Sequence, residues 1–284
     1  MAKISGRRTG RAAARLAAAA IAAALVGTGA SAAFAAEPGD APLFGLAGLD
    51  GSGNSYYYTP SGDGSLETRV PLDTGWKDVK FVGRVDNNAD NIADGRWQLD
   101  TKGDIYYYAN DNSAAKKIGY GWGMYNTLVS TGQFGGAEGG DLLARDTKGD
   151  VYLYLGYGDG TVTKRLKVGY GWDIYTDIAG NGDLNGDGKG DLVARDKSGV
   201  LWLYTGTGNQ KDPYAKRTKI GSGWNQYNAI FAAGDLNMDG TTDLVARNAK
   251  GELYLYQGTG NAAAPYKPKA IIGTSGWNTY RLFF

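Results

Sequence analysis

The feature that most constrains this chain is a repeat of about 50 residues that occurs five times. One half of the repeat is a turn followed by an aromatic strand, as in DTKGDIYYY from residue 100 and DTKGDVYLY from residue 146. The other half is a Gly-Trp element, and its spacings are 46, 50, 52 and 53 residues between Trp76, Trp122, Trp172, Trp224 and Trp277. Five copies of two elements in constant order predict five copies of one structural unit.

Each copy contains four short strand-like segments, which from residue 227 are YNAIFAAG, DLVARN, ELYLYQG and YKPKAIIG. The D-x-x-G connections, such as Asp196 to Gly199, are typical of hairpin turns that end in a glycine at positive φ. Four antiparallel strands in a unit of this length are typical of a propeller blade. We therefore predict an all-β fold, a five-bladed β-propeller of four-stranded antiparallel blades; an open stack of blades is the alternative.

The two ends of the repeat array predict how the ring closes. APLFGLAGLD, from residue 41, has the pattern of a second strand and has no first strand before it. GWNTYRLFF, at the other end, matches the first strands YNTLVSTG and YNAIFAAG. We therefore predict that the C-terminal strand, about Tyr280 to Phe284, completes the blade that starts near Pro42 and leaves no unpaired sheet edge.

The first 35 residues have the pattern of a secretory signal peptide. Five basic residues precede the short apolar run LAAAAIAAALV, and small residues ending in AFA follow it. The predicted domains are therefore a signal peptide at 1–35, a short linker at 36–41 and a single propeller at 42–284. The protein is expected to be secreted to the extracellular space.

Composition excludes several function classes. Without residues 1–35 the chain carries 25 basic and 29 acidic residues, a balance that disfavours nucleic-acid binding. No later segment approaches the ~20 apolar residues of a membrane-spanning helix, so membrane insertion is not expected. The chain has no Cys and no His, which excludes Ser-His-Asp and Cys-His catalysis and the commonest zinc ligand.

An acidic run between the first and second strand segments predicts a metal site. Its oxygen-bearing side chains stand at positions 1, 3, 5 and 9, which in one copy are Asp183, Asn185, Asp187 and Asp191. The pattern recurs at Asp235, Asn237, Asp239 and Asp243, and at Asp86, Asn88, Asp90 and Asp94. Hard oxygen ligands around a sharp turn suit Ca²⁺. The position-7 carbonyl is a natural further ligand, from Ile92, Lys189 or Thr241.

The alternative for each run is an Asx-rich turn that needs no metal. An EF-hand is excluded because its twelfth position should be Glu, whereas these runs have Trp97, Ala194 or Ala246 there. Three equivalent copies, each gathering carboxylates that would repel one another, favour about three calcium sites. Asn91 replaces a turn glycine in one copy and is expected in the left-handed conformation. The equivalent stretch GQFGGAEGGD keeps only Asp141, so no metal is predicted there.

The motif G-D-x-N-x-D-G-x-x-D-L, followed by a D-x-x-G turn and a strand such as LWLY, resembles the FG-GAP/VCBS-type repeats of integrin-like calcium-binding propellers. The resemblance covers residues 42–284, and the copies that contain DLVAR match best. It implies calcium in the strand-connecting loops and an interaction or glycan-binding scaffold. Five blades with a Gly-Trp element in each also resemble the tachylectin-type five-bladed lectins.

These observations favour a secreted, calcium-stabilised binding module for an extracellular carbohydrate or protein, expected to be a monomer. Candidate ligand residues are the aromatic side chains of the Gly-Trp elements: Tyr120, Trp122, Tyr170, Trp172 and Trp224. The alternative for each is packing between blades. A second hypothesis is a carboxylate-based glycoside hydrolase, although the acids outside the repeat, Asp63, Glu67 and Asp212, show no interpretable spacing. A third is a structural or accessory module that acts as a free-standing propeller.

Overall fold

The computed structural model describes residues 41–180 and 182–284. Within these ranges twenty strands form five separate four-stranded antiparallel sheets, and helix is limited to five short 3-10 segments. The predicted five-bladed β-propeller is therefore confirmed. The predicted signal peptide at 1–35 and residues 36–40 of the predicted linker lie outside the described residues.

The blades are numbered here in chain order, and each is given from its first to its fourth strand. Blade 1 contains Tyr280–Phe283 (β20), Leu46–Asp50 (β1), Ser55–Tyr58 (β2) and Val70–Asp73 (β3). Blade 2 contains Val79–Val85 (β4), Gly95–Asp100 (β5), Ile105–Ala109 (β6) and Lys116–Gly119 (β7). Blade 3 contains Tyr125–Gly132 (β8), Gly139–Asp146 (β9), Val151–Gly156 (β10) and Leu166–Gly169 (β11).

The last two blades follow the same order. Blade 4 contains Tyr175–Ala179 (β12), Leu192–Asp196 (β13), Leu201–Tyr204 (β14) and Thr218–Gly221 (β15). Blade 5 contains Tyr227–Ala232 (β16), Leu244–Asn248 (β17), Leu253–Tyr256 (β18) and Ala270–Gly273 (β19). The first strands of neighbouring blades contact one another, which places them around the centre of the ring.

The C-terminal strand closes the ring as predicted. β20 pairs antiparallel with β1, in a register that sets Gly48 opposite Phe283. The pairing continues through Ala47 and Phe284, which exchange two backbone hydrogen bonds of 2.9 and 3.0 Å. Because the two ends of the chain share one sheet, blade 1 has its full set of four strands, and the alternative of an open stack is wrong.

The core lies between the blades. Alternating residues of each strand face opposite neighbours, so every junction collects apolar side chains from two sheets. At the junction of blades 2 and 3, for example, Trp97 and Ile105 pack with Leu142 and Tyr154. The LWLY-type third strands also pack between blades, since Leu201 and Leu203 are each 1% exposed and lie in the core cluster at one junction.

The two faces of the ring carry different connections. One face, called here the Trp face, carries the D-x-x-G turns and the Gly-Trp elements. Each Gly-Trp element is a left-handed glycine followed by a 3-10 helix that enters the next blade: Trp76–Asp78, Trp122–Met124, Trp172–Ile174, Trp224–Gln226 and Trp277–Thr279. The opposite face, the loop face, carries the first-to-second and third-to-fourth strand connections.

An arginine joins most neighbouring blades. Arg195, the last residue but one of β13, donates from Nη1 to the carbonyl oxygens of Trp224 and Tyr227 in blade 5. Arg145 and Arg247 bind the equivalent carbonyls of the following blade, and Arg281 does so from β20. Sequence reasoning treated DLVAR only as a strand, although the recurrence of its Arg in three copies was a usable signal.

Candidate functional site

The three acidic runs lie on the loop face, in the connections between first and second strands. They follow β4, β12 and β16 and precede β5, β13 and β17, so they occupy equivalent places in blades 2, 4 and 5. Each predicted ligand set therefore lies within a single loop of one blade. Blade 3 has a shorter connection, at residues 133–138, between longer strands.

The carboxylate at position 1 organises each loop. Asp183 accepts backbone N–H bonds from Asn185 at 2.9 Å, Gly186 at 2.7 Å and Gly188 at 2.6 Å. Asp86 accepts three such bonds from its own loop, and Asp235 accepts from the two residues at its positions 5 and 6. These bonds fold the backbone into the curl around which the other oxygen-bearing side chains stand.

Positions 3, 5 and 7 continue the same pattern. Asn185 accepts from the N–H of Asp187 at 2.8 Å, and Asp187 accepts from that of Lys189 at 3.0 Å. The other two loops repeat both bonds. At position 3, the amide oxygens of Asn88 and Asn237 accept from the N–H of position 5. At position 5, the carboxylate of Asp90 accepts from Ile92 N–H and that of Asp239 from Thr241 N–H. The side-chain oxygens are thus held in place locally.

Two residues of each loop adopt the left-handed conformation. Asn91 has φ 63°, as predicted, and stands where the other loops have Gly188 and Gly240. Position 4 is also left-handed, and there Ala89 (φ 62°) and Met238 (φ 58°) take the place of Gly186. A side chain with a Cβ is unfavourable in this region, so the loop contacts must outweigh the strain. Sequence reasoning missed position 4.

The carboxylate at position 9 ties the loop to the rest of its blade. Asp191 accepts from the N–H of Leu184 at 2.9 Å and from that of Gly206 at 2.8 Å. Asp243 makes the equivalent bonds in blade 5, at 2.9 and 2.8 Å, and Asp94 accepts one loop N–H in blade 2. Asp191 and Asp243 are 1% and 0% exposed.

Burial changes the acidity of these groups. Desolvation, with a smaller contribution from Asp183 and Asp187 of the same loop, raises the pKa of Asp191 to about 7. Desolvation likewise raises the pKa of Asp243 to about 7 and also raises the pKa values of Asp86 and Asp94. Within the described residues no Lys or Arg pairs with Asp191 or Asp243. Asp191 and Asp243 therefore have no countercharge among the described residues.

The donor chemistry of the loops fits Ca²⁺. Every candidate ligand is a carboxylate, amide or carbonyl oxygen, and Ca²⁺ takes six to eight of these. A small cavity between blades 4 and 5 is lined by both Asp191 and Asp243, and the hydroxyl of Thr242 there has no hydrogen-bond partner. In the described residues no three acidic side chains lie close enough to hold a metal ion as they stand.

Lysine ammonium groups lie beside two of the loops. Lys267 Nζ is 3.3 Å from Asp239 Oδ2, and Lys189 Nζ is 3.8 Å from Asp187 Oδ2. These position-5 carboxylates are candidate metal ligands, so each lysine competes with a cation for the same oxygen. Among the described residues Asp90, at the equivalent place in blade 2, forms no such ion pair.

The aromatic candidates fall into two groups. Trp122, Trp172 and Trp224 are 7%, 4% and 8% exposed, and their indoles pack on third-strand tyrosine rings at centroid distances of 4.3 to 4.6 Å. Tyr120 and Tyr170, two residues earlier in the chain, are each 83% exposed. The same short element therefore holds one ring inside a junction and presents the other to solvent.

The acids outside the repeat are scattered. Asp63 and Asp212 lie in the third-to-fourth strand connections of blades 1 and 4, which are not neighbours in the ring. Asp63 is an exposed turn residue whose carboxylate accepts the Ser65 N–H at 2.8 Å. Glu67 lies in the same blade 1 connection, three residues before β3, and is exposed. Asp212 therefore lies in a different blade from Asp63 and Glu67.

Comparison with known proteins supports the repeat assignment. Residues 183–246 match the family model described as an FG-GAP-like repeat, which confirms the predicted resemblance for the part of the chain that holds two acidic loops. No curated protein matches this sequence. In the described residues no helix is long and apolar enough to span a membrane.

The solved structures to which the chain is similar include two lectins. The BP39L lectin of Burkholderia pseudomallei is 13% identical, over 82% of this chain and 71% of that chain, with a TM-score of 0.49. A lectin of Agrocybe aegerita, described as recognising non-reducing terminal N-acetylglucosamine, is 15% identical over 81% of this chain and 64% of that one, with a TM-score of 0.48. An AofleA variant of Arthrobotrys oligospora is 11% identical over 88% and 77%, with a TM-score of 0.48.

Proposed function

We propose that this chain is a secreted, calcium-stabilised binding module without catalytic activity, whose ligand is an extracellular carbohydrate or protein. About three Ca²⁺ ions would be held by the loops of blades 2, 4 and 5, through positions 1, 3, 5, 7 and 9. When bound, the metal supplies positive charge to the loop and no reaction. The residues of the chain supply the ligand oxygens of the loop face, and the ring of blades holds the Trp face in place for binding.

The observation that carries the proposal is the combination, within one loop, of a buried carboxylate, Asp191 or Asp243, with two further carboxylates at positions 1 and 5. Each is almost inaccessible to solvent, lacks a Lys or Arg partner in the described chain and stands in a loop with two further carboxylates. A buried charge without a partner is costly, and a bound cation removes that cost. Holding a cation would therefore account for the acids of these loops. Carboxylates that bind a metal are not available as the general acid and base of a glycosidase.

Calcium titration tests the stabilising role. We expect chelation to lower the melting temperature and millimolar Ca²⁺ to restore it, since dissociation constants around 10⁻⁴ to 10⁻³ M are common for extracellular modules. Calorimetry should find about three sites, and D187N should remove one of them. D141N, in the blade without the acidic run, is the matched control and should retain all three. An unchanged melting temperature together with no heat of binding would exclude the calcium role.

A ligand screen tests the binding role. The secreted chain, with calcium present, is applied to a glycan array and to a pull-down from extracellular proteins. The proposal expects binding to one of these and no release of reducing sugar from polysaccharides. Sugar release that one carboxylate substitution abolishes would support the hydrolase alternative instead.

A further inference from the structure

The five Gly-Trp elements differ at the residue that is most exposed. In blades 2 and 3 this residue is Tyr120 or Tyr170, and each side chain is 83% exposed. The equivalent positions of the other elements hold Thr74, Ser222 and Ser275. An exposed tyrosine ring is therefore a property of two adjacent blades and not a requirement of the repeat.

A second difference occurs at the end of the following 3-10 helix. The elements with tyrosine have Met124 and Ile174 there, which are 44% and 40% exposed. The other three helices end in polar residues: Asp78, Gln226 and Thr279. Because polar residues occupy these positions in the other three elements, the repeat does not require apolar ones. Met124 is in contact with Arg165, whose Nη1 lies 3.5 Å from its Sδ.

A third difference is a partly exposed ion pair between the third and fourth strands of each of these two blades, in which the acid directly follows the D-x-x-G turn of the Trp face. Lys117 Nζ lies 2.6 Å from Asp104 Oδ2 in blade 2, and Lys167 Nζ lies 2.6 Å from Asp150 Oδ2 in blade 3. The lysine side chains are about half exposed. In the other blades the position of the Asp holds Asn54, Val200 or Glu252, and the position of the Lys holds Pro71, Lys219 or Ile271. No blade other than 2 and 3 has both an acid and a lysine at these two positions.

We propose that these two equivalent patches of the Trp face are carbohydrate-binding sites that engage two sugar residues of one chain or cluster. The patches, called here the paired tyrosine surface, are Tyr120, Met124, Lys117 and Asp104 in blade 2 and Tyr170, Ile174, Lys167 and Asp150 in blade 3. This inference rests on the proposed binding function and specifies its ligand and place.

The chemistry of each patch matches a sugar ring. A pyranose presents a C–H face, which packs on an exposed aromatic ring, and a rim of hydroxyl groups that donate and accept hydrogen bonds. The tyrosine supplies the flat ring, Met124 or Ile174 widens the apolar contact, and the ion pair supplies both donors and acceptors. Tyrosine also carries a hydroxyl at its edge, so it is an amphipathic platform in itself.

The size of the surface disfavours a protein partner. A stable protein interface buries about 800 Å² on each side around a contiguous apolar centre. Within the described residues, the Gly-Trp elements expose large apolar side chains at two of the five junctions, and the 3-10 helices of the other three end in polar residues. Ile271, at the position equivalent to Lys117, is also exposed but lies in a different blade. Two small, equivalent patches suit a ligand made of repeated units better than they suit the continuous surface of a protein partner.

Two equivalent sites on a rigid ring would act together. Each alone has a limited contact area, so its affinity for a single sugar is expected to be weak. A polysaccharide that reaches both patches binds the second one intramolecularly, which raises avidity by about 10²–10⁴ without new contacts. The paired tyrosine surface therefore favours polymeric or clustered glycans over free monosaccharides.

The test compares Y120A, Y170A and the double variant with the original chain on a glycan array, followed by binding kinetics on the best immobilised polysaccharide. Each single variant should weaken binding about tenfold or more, and the double variant should abolish it. Tyr157 is the matched control, because it is 67% exposed but lies in a connection of the loop face. Y157A should bind normally, and all four variants should melt like the original chain since these rings are exposed.

The outcomes separate this inference from the proposed function. Undiminished glycan binding by the double variant overturns the paired tyrosine surface and leaves the binding function standing. A blank array with a protein partner captured overturns the carbohydrate assignment alone. No ligand of either class, and no calcium effect on melting, overturns both. Y120F/Y170F, which keeps both rings, should retain most of the affinity if stacking carries it.

Discussion

The connections between first and second strands in blades 3 and 4 end in the same residue but are built differently. Asp141 closes the blade 3 connection and accepts N–H bonds from Gly135 at 2.6 Å and Gly156 at 3.1 Å. Asp191 closes the blade 4 connection with equivalent bonds to Leu184 and Gly206. Only the blade 4 connection has acids at positions 1 and 5. The position-9 carboxylate is therefore a structural cross-link in both blades, and the metal hypothesis depends on the earlier positions.

The rest of each connection follows from that difference. In blade 3 the strands β8 and β9 extend to eight residues each, because glycines and Phe134 replace the acidic run and the sheet can continue. In blade 4 the strands β12 and β13 have five residues each, and the loop between them folds on its own side chains. Carboxylates placed close together cannot continue a sheet, so they form a separate curl.

The largest expected effect comes from removing the shared cross-link. D141A and D191A should each lower the free energy of unfolding by about 3 kcal/mol or more in chelator, because two buried N–H groups lose a charged acceptor. Added calcium should widen the gap between D191A and the original chain and leave the gap for D141A unchanged. Urea unfolding with and without calcium measures both. An equal calcium response in the two variants would contradict the distinction between the blades.

The change of the free energy of unfolding with pH should be nearly as large as the effect of these substitutions. Burial raises the pKa of Asp141 to about 6 from 3.8, so the folded state binds this proton more tightly than the unfolded state. Its contribution to stability is fully present below pH 3.8 and is lost as the pH rises through about 6, a change of up to about 3 kcal/mol. D141N lacks this group, so its stability relative to the original chain should rise between pH 4 and 7.5.

Urea unfolding in chelator across that pH range measures the difference. Asp191 and Asp243 should add a similar loss that extends to about pH 7 and that calcium reverses, because the metal needs the ionised carboxylate. A difference between D141N and the original chain that does not change with pH would show that Asp141 is not protonated in the folded state.

A smaller gain is expected from relieving backbone strain in the blade 2 loop. Ala89 is exposed and left-handed at position 4, where blade 4 has Gly186. A89G should raise the free energy of unfolding by about 1 kcal/mol, since the strain removed exceeds the chain entropy that glycine adds. The matched control is A262G, an Ala-to-Gly change outside the acidic loops, which should give no comparable gain. Thermal denaturation in chelator measures the effect.

The smallest effect concerns the lysine beside the blade 5 loop. K267M removes the ammonium that lies 3.3 Å from Asp239, so calcium affinity at this loop should rise about two- to fivefold. K269M, which leaves the Asp239 pair intact, is the control. Calorimetric titration compares the variants, and an unchanged affinity in K267M would show that the lysine does not compete for this site.

Much of the fold could be predicted because the same strand and turn pattern occurs in all five copies of the repeat. The five regularly spaced Trp residues and the four strand segments per copy predicted the number and make-up of the blades, and the unmatched segments at the two ends predicted β20 beside β1. Asn91 was also predicted correctly, since only a few residues tolerate a left-handed turn. The arginines that join the blades were not predicted, because a strand pattern does not show which carbonyls of the next sheet lie within reach.

The sequence by itself determined the ring: a local pattern repeated five times must give five equivalent units, and a unit split between the two ends must be joined there. Tertiary structure decided which aromatic residues face solvent. Tyr120 and Trp122 belong to one GYGW element, yet one is 83% exposed and the other 7%. The left-handed Gly121 turns the chain so that the indole packs on Tyr154 and the tyrosine points outward. Burial depends on that neighbouring ring, which lies in another part of the chain.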